Sequence, residues 1–201
     1  MTLNRLKKIW DNGEYALNGW LSINNSFIAE IMSRQNYDTI TIDMQHGLID
    51  NSDLIGMLQG ITGSNVTPIV RVPWLDPGYI MKALDAGAQG IISPMINNKK
   101  EAEEFVSYMR YPPLGNRSFG PTRQNIVQGS DYYKTANENV LCIAMIETAE
   151  AMKNLEEIIS TDGLDAVYIG PADLTLGTTE GRLSPGMDRE EEEMLDRIKT
   201  I

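Results

Sequence analysis

Short apolar runs recur along the chain, and each is followed by a segment whose apolar residues are spaced as on one face of a helix. Runs without a polar face are typical of strands in a sheet that is covered on both sides, and their alternation with helices indicates parallel βαβ units. The predicted strands are residues 16–23, 38–45, 67–73, 90–95, 140–147 and 165–170. The predicted helices are residues 26–36, 51–64, 76–86, 98–111, 148–160 and 188–201, several of which open with an Asn, Asp, Ser or Thr that suits an N-cap.

The spacing of the predicted strands favours a TIM-type (β/α)₈ barrel. The strands begin 22 to 29 residues apart, except for one interval of 50, and this spacing is close to one unit of such a barrel. A doubly wound parallel sheet fits six strands as well and stays open as an alternative. The long interval contains a Pro/Gly-bearing loop, residues 111–120. A loop of this kind between scaffold elements is more often functional or disordered than inert.

Polar side chains collect at the C-terminal ends of the predicted strands, where parallel barrels build their active sites. Asp43 and His46 follow the second strand, Arg71 lies in the third, Glu147 ends the fifth and Asp173 follows the sixth. His46 is the only histidine. Asp43 is on the opposite strand face from the apolar residues. His46 therefore suits a general base, with the Asp43 carboxylate as the group that orients it. A hydrogen-bonded structural histidine is the alternative.

Glu147 and Asp173 place two carboxylates at the edge of an apolar environment. A carboxylate there is costly unless it is paired or binds a metal. Oxygen ligands without a second histidine or a thiolate cluster favour Mg²⁺ or Mn²⁺ over structural zinc. The competing interpretation is that Glu147 caps the next helix, Asp173 caps a turn and Arg71 forms a salt bridge with a neighbouring carboxylate. No lysine ends a predicted strand, which disfavours Schiff-base chemistry.

The composition favours a single globular domain over residues 1–201, with 42% hydrophobic and 22% charged residues. The formal net charge of −11 and the scattered Lys and Arg residues disfavour nucleic acid as a partner. Cys142 lies in an apolar run and is expected to be a buried core residue. No apolar run approaches the roughly 20 residues that span a bilayer, and no signal-peptide pattern is found. We therefore expect a cytoplasmic protein without a membrane partner.

Five motifs occur in one order along nearly the whole chain. They are Ile42-Asp43-Met44-Gln45-His46-Gly47, Arg71-Val72-Pro73-Trp74, Arg110-Tyr111-Pro112-Pro113-Leu114-Gly115, Ile146-Glu147-Thr148 and Gly170-Pro171-Ala172-Asp173-Leu174. With these motifs the chain resembles the HpcH/HpaI family of class II, pyruvate-dependent aldolases, of the 4-hydroxy-2-oxoheptanedioate aldolase type. The resemblance implies a TIM-type barrel that cleaves a small 4-hydroxy-2-oxo acid to pyruvate and an aldehyde with Mg²⁺, Mn²⁺ or Co²⁺. It also implies a homo-oligomer, commonly a hexamer.

The resemblance implies a role for each matching residue. His46 matches the general base and Asp43 its dyad partner. Arg71 matches the residue that stabilises the enolate and binds substrate. Glu147 and Asp173 match the metal ligands, and Asp173 also lies at the substrate.

Two further positions match the family, and one departs from it. Ala172 matches a residue whose backbone contacts substrate, and Asp85 matches one that tunes the histidine, across a subunit interface. Met145 stands where the typical enzyme has a substrate-contacting glutamine, so a different substrate preference is expected.

Family members are also longer, so we expect a barrel truncated after its sixth βα unit, with exposed strand edges. Two alternatives to the aldolase remain. One is a lyase of the citrate-lyase β-subunit type acting on a CoA thioester, and the other is an inactive truncated barrel.

Overall fold

The computed structural model describes residues 4–201, which form one parallel six-stranded sheet. The strands are β1 (Asn18–Leu21), β2 (Thr39–Asp43), β3 (Thr67–Arg71), β4 (Gly90–Ser93), β5 (Leu141–Ile146) and β6 (Ala166–Ile169). Each lies inside its predicted range, so all six strand predictions are confirmed in place. The spatial order follows the chain order from β1 to β6. The doubly wound alternative is therefore wrong, because such a sheet reverses its strand order at a switch point.

The sheet is curled into a half-barrel with a concave and a convex face. β1 and β6 are not neighbours in the sheet, yet the rings of Trp20 and Tyr168 lie 5.7 Å apart between their centroids across the concave face. Alternate strand residues divide between the two faces, as the period of two requires. One apolar cluster, which includes Ile69, Ile92 and Ile143, fills the concave interior. The larger cluster joins the convex face to the helices and includes the buried Cys142, as predicted.

Helices follow the strands in all six predicted places. The helices in these places are α2 (Ser26–Ser33), α3 (Asn51–Ile61), α4 (Pro77–Ala86), α5 (Lys99–Met109), α8 (Ala149–Lys153) with α9 (Leu155–Ile159), and α11 (Glu192–Thr200). Helices that the pattern did not predict are α1 (Arg5–Asp11), α6 (Thr122–Gln128), α7 (Tyr133–Asn139) and α10 (Pro171–Thr178). The predicted helix 148–160 is interrupted at Asn154, whose φ of −104° and ψ of 14° leave the α region. Within residues 4–201, no helix has both the length and the apolar character that crossing a membrane requires.

The long interval between β4 and β5 is held in place by the buried Arg117. Its guanidinium donates hydrogen bonds to Asp85 Oδ1 at 2.7 Å and to the Tyr132 hydroxyl at 3.1 Å. The same group lies 4.4 Å from the centroid of the Tyr111 ring, a cation–π contact. Arg117 therefore anchors the predicted loop, with its guanidinium against Tyr111 inside the loop and Tyr132 beyond it.

Candidate active site

A buried ion pair joins the ends of β2 and β3. Asp43 and Arg71 are register partners in the sheet, so their side chains leave neighbouring strands on the same face. Arg71 Nε donates to Asp43 Oδ1 at 2.9 Å and Nη2 donates to Oδ2 at 2.7 Å. Asp43 is 2% exposed and Arg71 is 9% exposed. This two-point geometry is the strongest form of carboxylate–guanidinium contact. Arg71 therefore forms a salt bridge with a neighbouring carboxylate, and its role toward substrate stays a prediction.

The Asp43 carboxylate also accepts hydrogen bonds from the loop that follows it and from a side chain of β1. The donors are the backbone N–H groups of Gln45 at 3.0 Å and His46 at 3.3 Å, and the Trp20 indole N–H at 3.4 Å. Burial alone would raise the pKa of Asp43, but the hydrogen bonds and charge of Arg71, together with the two backbone donors, outweigh it and lower the pKa. These contacts therefore favour the ionised form of Asp43.

The predicted side-chain contact between Asp43 and the His46 imidazole is not formed, and this is a correction. Both carboxylate oxygens face the guanidinium of Arg71, and Asp43 reaches His46 only through its backbone N–H. In residues 4–201 no hydrogen bond engages the His46 ring, which is exposed. The structural-histidine alternative, which needs a hydrogen-bonded ring, is not supported either.

A cavity of about 460 Å³ opens at the C-terminal ends of the strands. Four of the predicted site residues, His46, Arg71, Ala172 and Asp173, line it. The other lining residues are Asn18, Trp20, Met145, Tyr168, Gly170, Pro171 and Met187. The strand ends therefore meet at one cavity, as parallel half-barrels require.

One edge of the Arg71 guanidinium has no carboxylate partner. Its Nη1 lies 4.0 Å from the sulfur of Met145, and its Cζ lies 4.9 Å from the centroid of the Trp20 ring. A thioether is a weak acceptor. Nη1 is therefore available to an anionic group in the cavity, while Nε and Nη2 stay engaged by Asp43.

Glu147 lies at the end of β5 and is 1% exposed. Its Oε1 accepts a hydrogen bond from the Met95 backbone N–H at 2.8 Å, whereas its Oε2 is buried without a hydrogen-bond partner. Burial raises the pKa of Glu147. The Met95 bond opposes that rise, the Asp173 charge adds to it, and the Arg71 charge opposes it. Glu147 is therefore a buried carboxylate that lacks a partner for one oxygen.

The capping alternatives for the two carboxylates are wrong. Thr148, not Glu147, caps α8, because its hydroxyl accepts the Ala151 backbone N–H at 2.9 Å. Asp173 lies in the first turn of α10, where no side chain makes a cap hydrogen bond.

The chemistry of the two carboxylates is compatible with a divalent cation. Oε2 of Glu147 has no partner, and Asp173 is close enough for its charge to raise the pKa of Glu147, so the pair would offer two hard oxygen ligands. The described part of the chain contains no group of three or more His, Cys, Asp or Glu residues that could hold an ion. A fit to Mg²⁺ or Mn²⁺ therefore needs water and substrate oxygens in the remaining positions, which is usual for Mg²⁺.

Gly170 makes room for the Glu147 carboxylate. A Cβ at Gly170 would lie 2.6 Å from Glu147 Oε2 and 2.5 Å from Met145 Cε. Both distances are shorter than van der Waals contact allows. The residue that precedes α10 must therefore lack a side chain for Glu147 to lie where it does.

Asp85 lies away from the cavity within one chain. It is near the C-terminal end of α4, and that end of the helix lies beside the start of β4, so Asp85 and His46 are at opposite ends of the half-barrel. Burial raises the pKa of Asp85, and the hydrogen bond and charge of Arg117 oppose that rise. An effect on His46 would have to act between subunits, and it stays a prediction.

Sequence reasoning missed several residues that line the cavity: Asn18, Trp20, Tyr168 and Met187. Trp20 and Tyr168 are at concave-face positions of the two edge strands, so the period of two could have identified them. Met187 lies outside the regular elements, and no periodic signal could have placed it at the cavity.

Comparisons with known proteins agree with this geometry. Residues 17–191 match the family model described as HpcH/HpaI aldolase/citrate lyase. The hydroxypyruvate/pyruvate aldolase of Rhizorhabdus wittichii is 44% identical over 199 residues, which are 99% of this chain and 78% of that protein. The 4-hydroxy-2-oxo-heptane-1,7-dioate aldolase of Escherichia coli is 37% identical over 177 residues, 86% of this chain and 67% of that protein.

A solved structure is similar as well. The crystal structure of an HpcH/HpaI aldolase/citrate lyase family protein from Burkholderia cenocepacia superposes with a TM-score of 0.85 at 31% identity. The match covers 98% of this chain and 78% of that one.

The unpaired carboxylate predicts a pH-dependent stability change. In the metal-free chain the raised pKa of Glu147 means that the folded state binds the proton more tightly than the unfolded state. Stability therefore falls as pH rises above the ordinary carboxyl range. Glu147→Gln should raise the free energy of unfolding at pH 7 by on the order of 1 kcal/mol, because it removes a buried charge.

Denaturant unfolding with a chelator at pH 7 and at pH 4 measures this effect, and the gain should shrink at the lower pH. Glu156→Gln is the matched control, since Glu156 is an exposed carboxylate on α9 and loses the same formal charge. A parent chain more stable than Glu147→Gln at pH 7 would contradict the prediction.

Proposed function

The chain belongs to the HpcH/HpaI aldolase/citrate lyase family, and we propose that its cavity performs pyruvate-dependent aldol cleavage with a divalent cation held by Glu147 and Asp173. The substrate class is a 4-hydroxy-2-oxo acid, and the products are pyruvate and an aldehyde. The observation that carries the proposal is that one region contains a cationic group open to an anion and a carboxylate oxygen open to a cation. The open guanidinium edge of Arg71 suits an anion, and the unpartnered Oε2 of Glu147 suits a cation.

The residues of the chain account for the movement of protons and charge. Nη1 of Arg71 binds the carboxylate and 2-oxo oxygen of the substrate, while Asp43 holds the other edge of the guanidinium. The His46 imidazole takes the proton of the 4-hydroxyl group. The C3–C4 bond then breaks, its electron pair moves to the 2-oxo oxygen as an enolate, and the C4 carbonyl forms the aldehyde. The proton on His46 returns to C3 and yields pyruvate.

When bound, the divalent cation supplies positive charge beside the 2-oxo oxygen, where negative charge develops. Glu147 and Asp173 are the residues that would hold it. Mg²⁺, Mn²⁺ and Co²⁺ all suit carboxylate and water ligands.

The chemistry of the cavity favours an aldolase over a CoA-thioester lyase. Arg71 is the only Lys or Arg side chain among the residues that line the cavity, and it is already paired with Asp43. The several phosphates of CoA would need more cationic partners than this. The names of the two aldolase relatives support the same choice.

We extend the proposal to the whole architecture. The curled six-stranded sheet is proposed to be the major part of a TIM-type barrel, and the protein to act in the cytoplasm as a homo-oligomer. Ala172, in the first turn of α10, is proposed to contact substrate through its backbone. The apolar Met145 beside Arg71 is proposed to shift substrate preference away from enzymes with an amide at this position.

Metal dependence tests the reaction class. Chelation should abolish pyruvate release from a 4-hydroxy-2-oxo acid, and Mg²⁺, Mn²⁺ or Co²⁺ should restore it, because the site offers oxygen ligands only. Oxidation of NADH by coupled lactate dehydrogenase measures the released pyruvate. Activity that survives exhaustive chelation would contradict the proposal, as would a lysine adduct trapped by borohydride with pyruvate.

Arg71 is expected to stabilise charge that is largest in the transition state. Arg71→Lys should lower kcat/KM by at least about 10²-fold, because an ammonium cannot contact Asp43 at two points and also bind the enolate. Arg71→Ala should lower kcat/KM further and also destabilise the fold by about 3–5 kcal/mol, since it leaves Asp43 buried without a partner. Steady-state kinetics and denaturant unfolding separate the two effects. Near-parental turnover in a folded Arg71→Ala chain would make Arg71 a structural residue only.

His46 is expected to act as a base and not as a metal ligand. His46→Ala should lower the cleavage rate by about 10²- to 10⁴-fold. It should leave the fold and the Mn²⁺ affinity unchanged, since the ring is exposed and unbonded. The imidazole limb of the pH–rate profile should vanish, because the chain has one histidine. Calorimetry that shows loss of Mn²⁺ binding in a folded His46→Ala chain would assign His46 to the metal instead.

A further inference from the structure

We propose that Asn97 is the positioning residue of the Glu147 carboxylate, and that its side-chain amide sets the affinity of the site for a divalent cation. The inference rests on the proposed role of Glu147 as a metal ligand. It concerns the loop between β4 and α5, which contains no residue assigned above to catalysis.

The position of Glu147 depends on Met95. The Met95 backbone N–H is the hydrogen-bond donor to Glu147 Oε1, at 2.8 Å, and Oε2 has no partner. Met95 has a φ of 57°, in the left-handed region that non-glycine residues rarely adopt. Such a conformation costs free energy and persists only where neighbouring contacts impose it.

Asn97 supplies contacts that hold Met95 in place. Its Nδ2 donates to the Met95 carbonyl oxygen at 2.8 Å. Its Oδ1 accepts the hydroxyl of Thr148, the residue that follows Glu147 in the chain. The Thr148 oxygen in turn accepts the Ala151 N–H, so its proton is free to be donated to Asn97. One amide therefore joins the residue that holds Oε1 to the residue next to Glu147.

Asn97 is itself held by hydrogen bonds to its backbone. Its backbone N–H donates to Glu101 Oε2 at 2.7 Å, and its carbonyl accepts Asn154 Nδ2 at 2.8 Å. Glu101 belongs to α5, and Asn154 lies at the junction between α8 and α9. All four polar groups of Asn97 are engaged. Its backbone is held by α5 and by the junction between α8 and α9, and its side chain holds Met95 and Thr148.

These contacts fix the direction of the second oxygen of Glu147. While Met95 holds Oε1, rotation of the carboxylate is restricted, and Oε2 keeps one direction. Loss of the Asn97 amide frees both Met95 and Thr148, and Oε2 then samples several directions. Groups that orient a ligand in this way typically change metal affinity by about 10- to 100-fold.

The test compares two neighbouring asparagines by Mn²⁺ titration calorimetry on the folded, substrate-free chain. Asn97→Ala should raise the Mn²⁺ dissociation constant by about 10- to 100-fold. Asn98→Ala is the matched control. Asn98 caps α5 by accepting the Glu101 N–H at 3.0 Å, and no side-chain contact joins it to Met95 or Thr148. It should lose helix stability but keep the parental Mn²⁺ affinity.

Two substitutions of Thr148 test the hydrogen bond that its hydroxyl donates to the Asn97 side chain. Thr148→Ser keeps the hydroxyl and should keep the affinity, whereas Thr148→Val should weaken it. Thermal unfolding of each variant shows that it is folded.

An Asn97→Ala dissociation constant within twofold of the parental value would overturn the inference, as would an equal loss in Asn98→Ala. Loss in Asn97→Ala and Thr148→Val alone would support it. A parent chain that binds no Mn²⁺ would overturn the proposed metal site itself, and the inference with it. If only the inference about Asn97 is wrong, the parent chain still binds Mn²⁺ and Glu147→Ala still abolishes that binding.

Discussion

The site depends on the buried contact between the Asp43 carboxylate and the Arg71 guanidinium. Neither charge could remain alone in the concave interior, because an unpaired ion in such surroundings costs several kcal/mol. The contact exists because β2 and β3 are adjacent and in register at these two residues. By engaging Nε and Nη2, Asp43 leaves Nη1 as the nitrogen that a bound anion can reach. The ion pair therefore positions the guanidinium as well as neutralising it.

The two buried carboxylates of the site have opposite environments. Asp43 receives donors from Arg71, Trp20 and two backbone groups, and its pKa is lowered. Glu147 receives one backbone donor and lies near a second negative charge, and its pKa is raised. An arginine has already neutralised the first carboxylate, so an added cation would gain little there. The second would gain most from a cation, which agrees with the proposed roles of Asp43 in holding Arg71 and of Glu147 in binding the cation.

The sequence predicted the strands, the strand ends and most of the cavity, because these follow from local patterns. Apolar runs locate the strands, and the period of two places Asp43 on the concave face. Pairing between side chains was harder to predict. His46 is three residues from Asp43 and suggested a dyad, whereas Arg71 is far along the chain and reaches Asp43 through strand register. Asp43 pairs with the guanidinium of Arg71 because two parallel hydrogen bonds stabilise the pair more than one bond to an imidazole would.

The elements that were not predicted have weak local signals for physical reasons. α1, α6 and α7 have seven residues each, too few for a clear helical period. α10 begins with Pro171 and lacks a distinct apolar face, so its existence depends on packing against the rest of the fold.

Two unusual positions, one in backbone conformation and one in the space for a side chain, lie around the same carboxylate. Met95 adopts a left-handed φ of 57° at the end of β4, and Gly170 leaves the space that a Cβ would take from Glu147 Oε2 after β6. A carboxylate that only capped a helix would need neither, since capping requires one acceptor beside exposed N–H groups. Strained backbone persists where the surrounding structure imposes it and is concentrated at functional sites. The left-handed Met95 holds Oε1 through its N–H, and Gly170 leaves room for Oε2, so the two features together fix a carboxylate with one oxygen unpartnered, which is what the proposed role of Glu147 in cation binding requires.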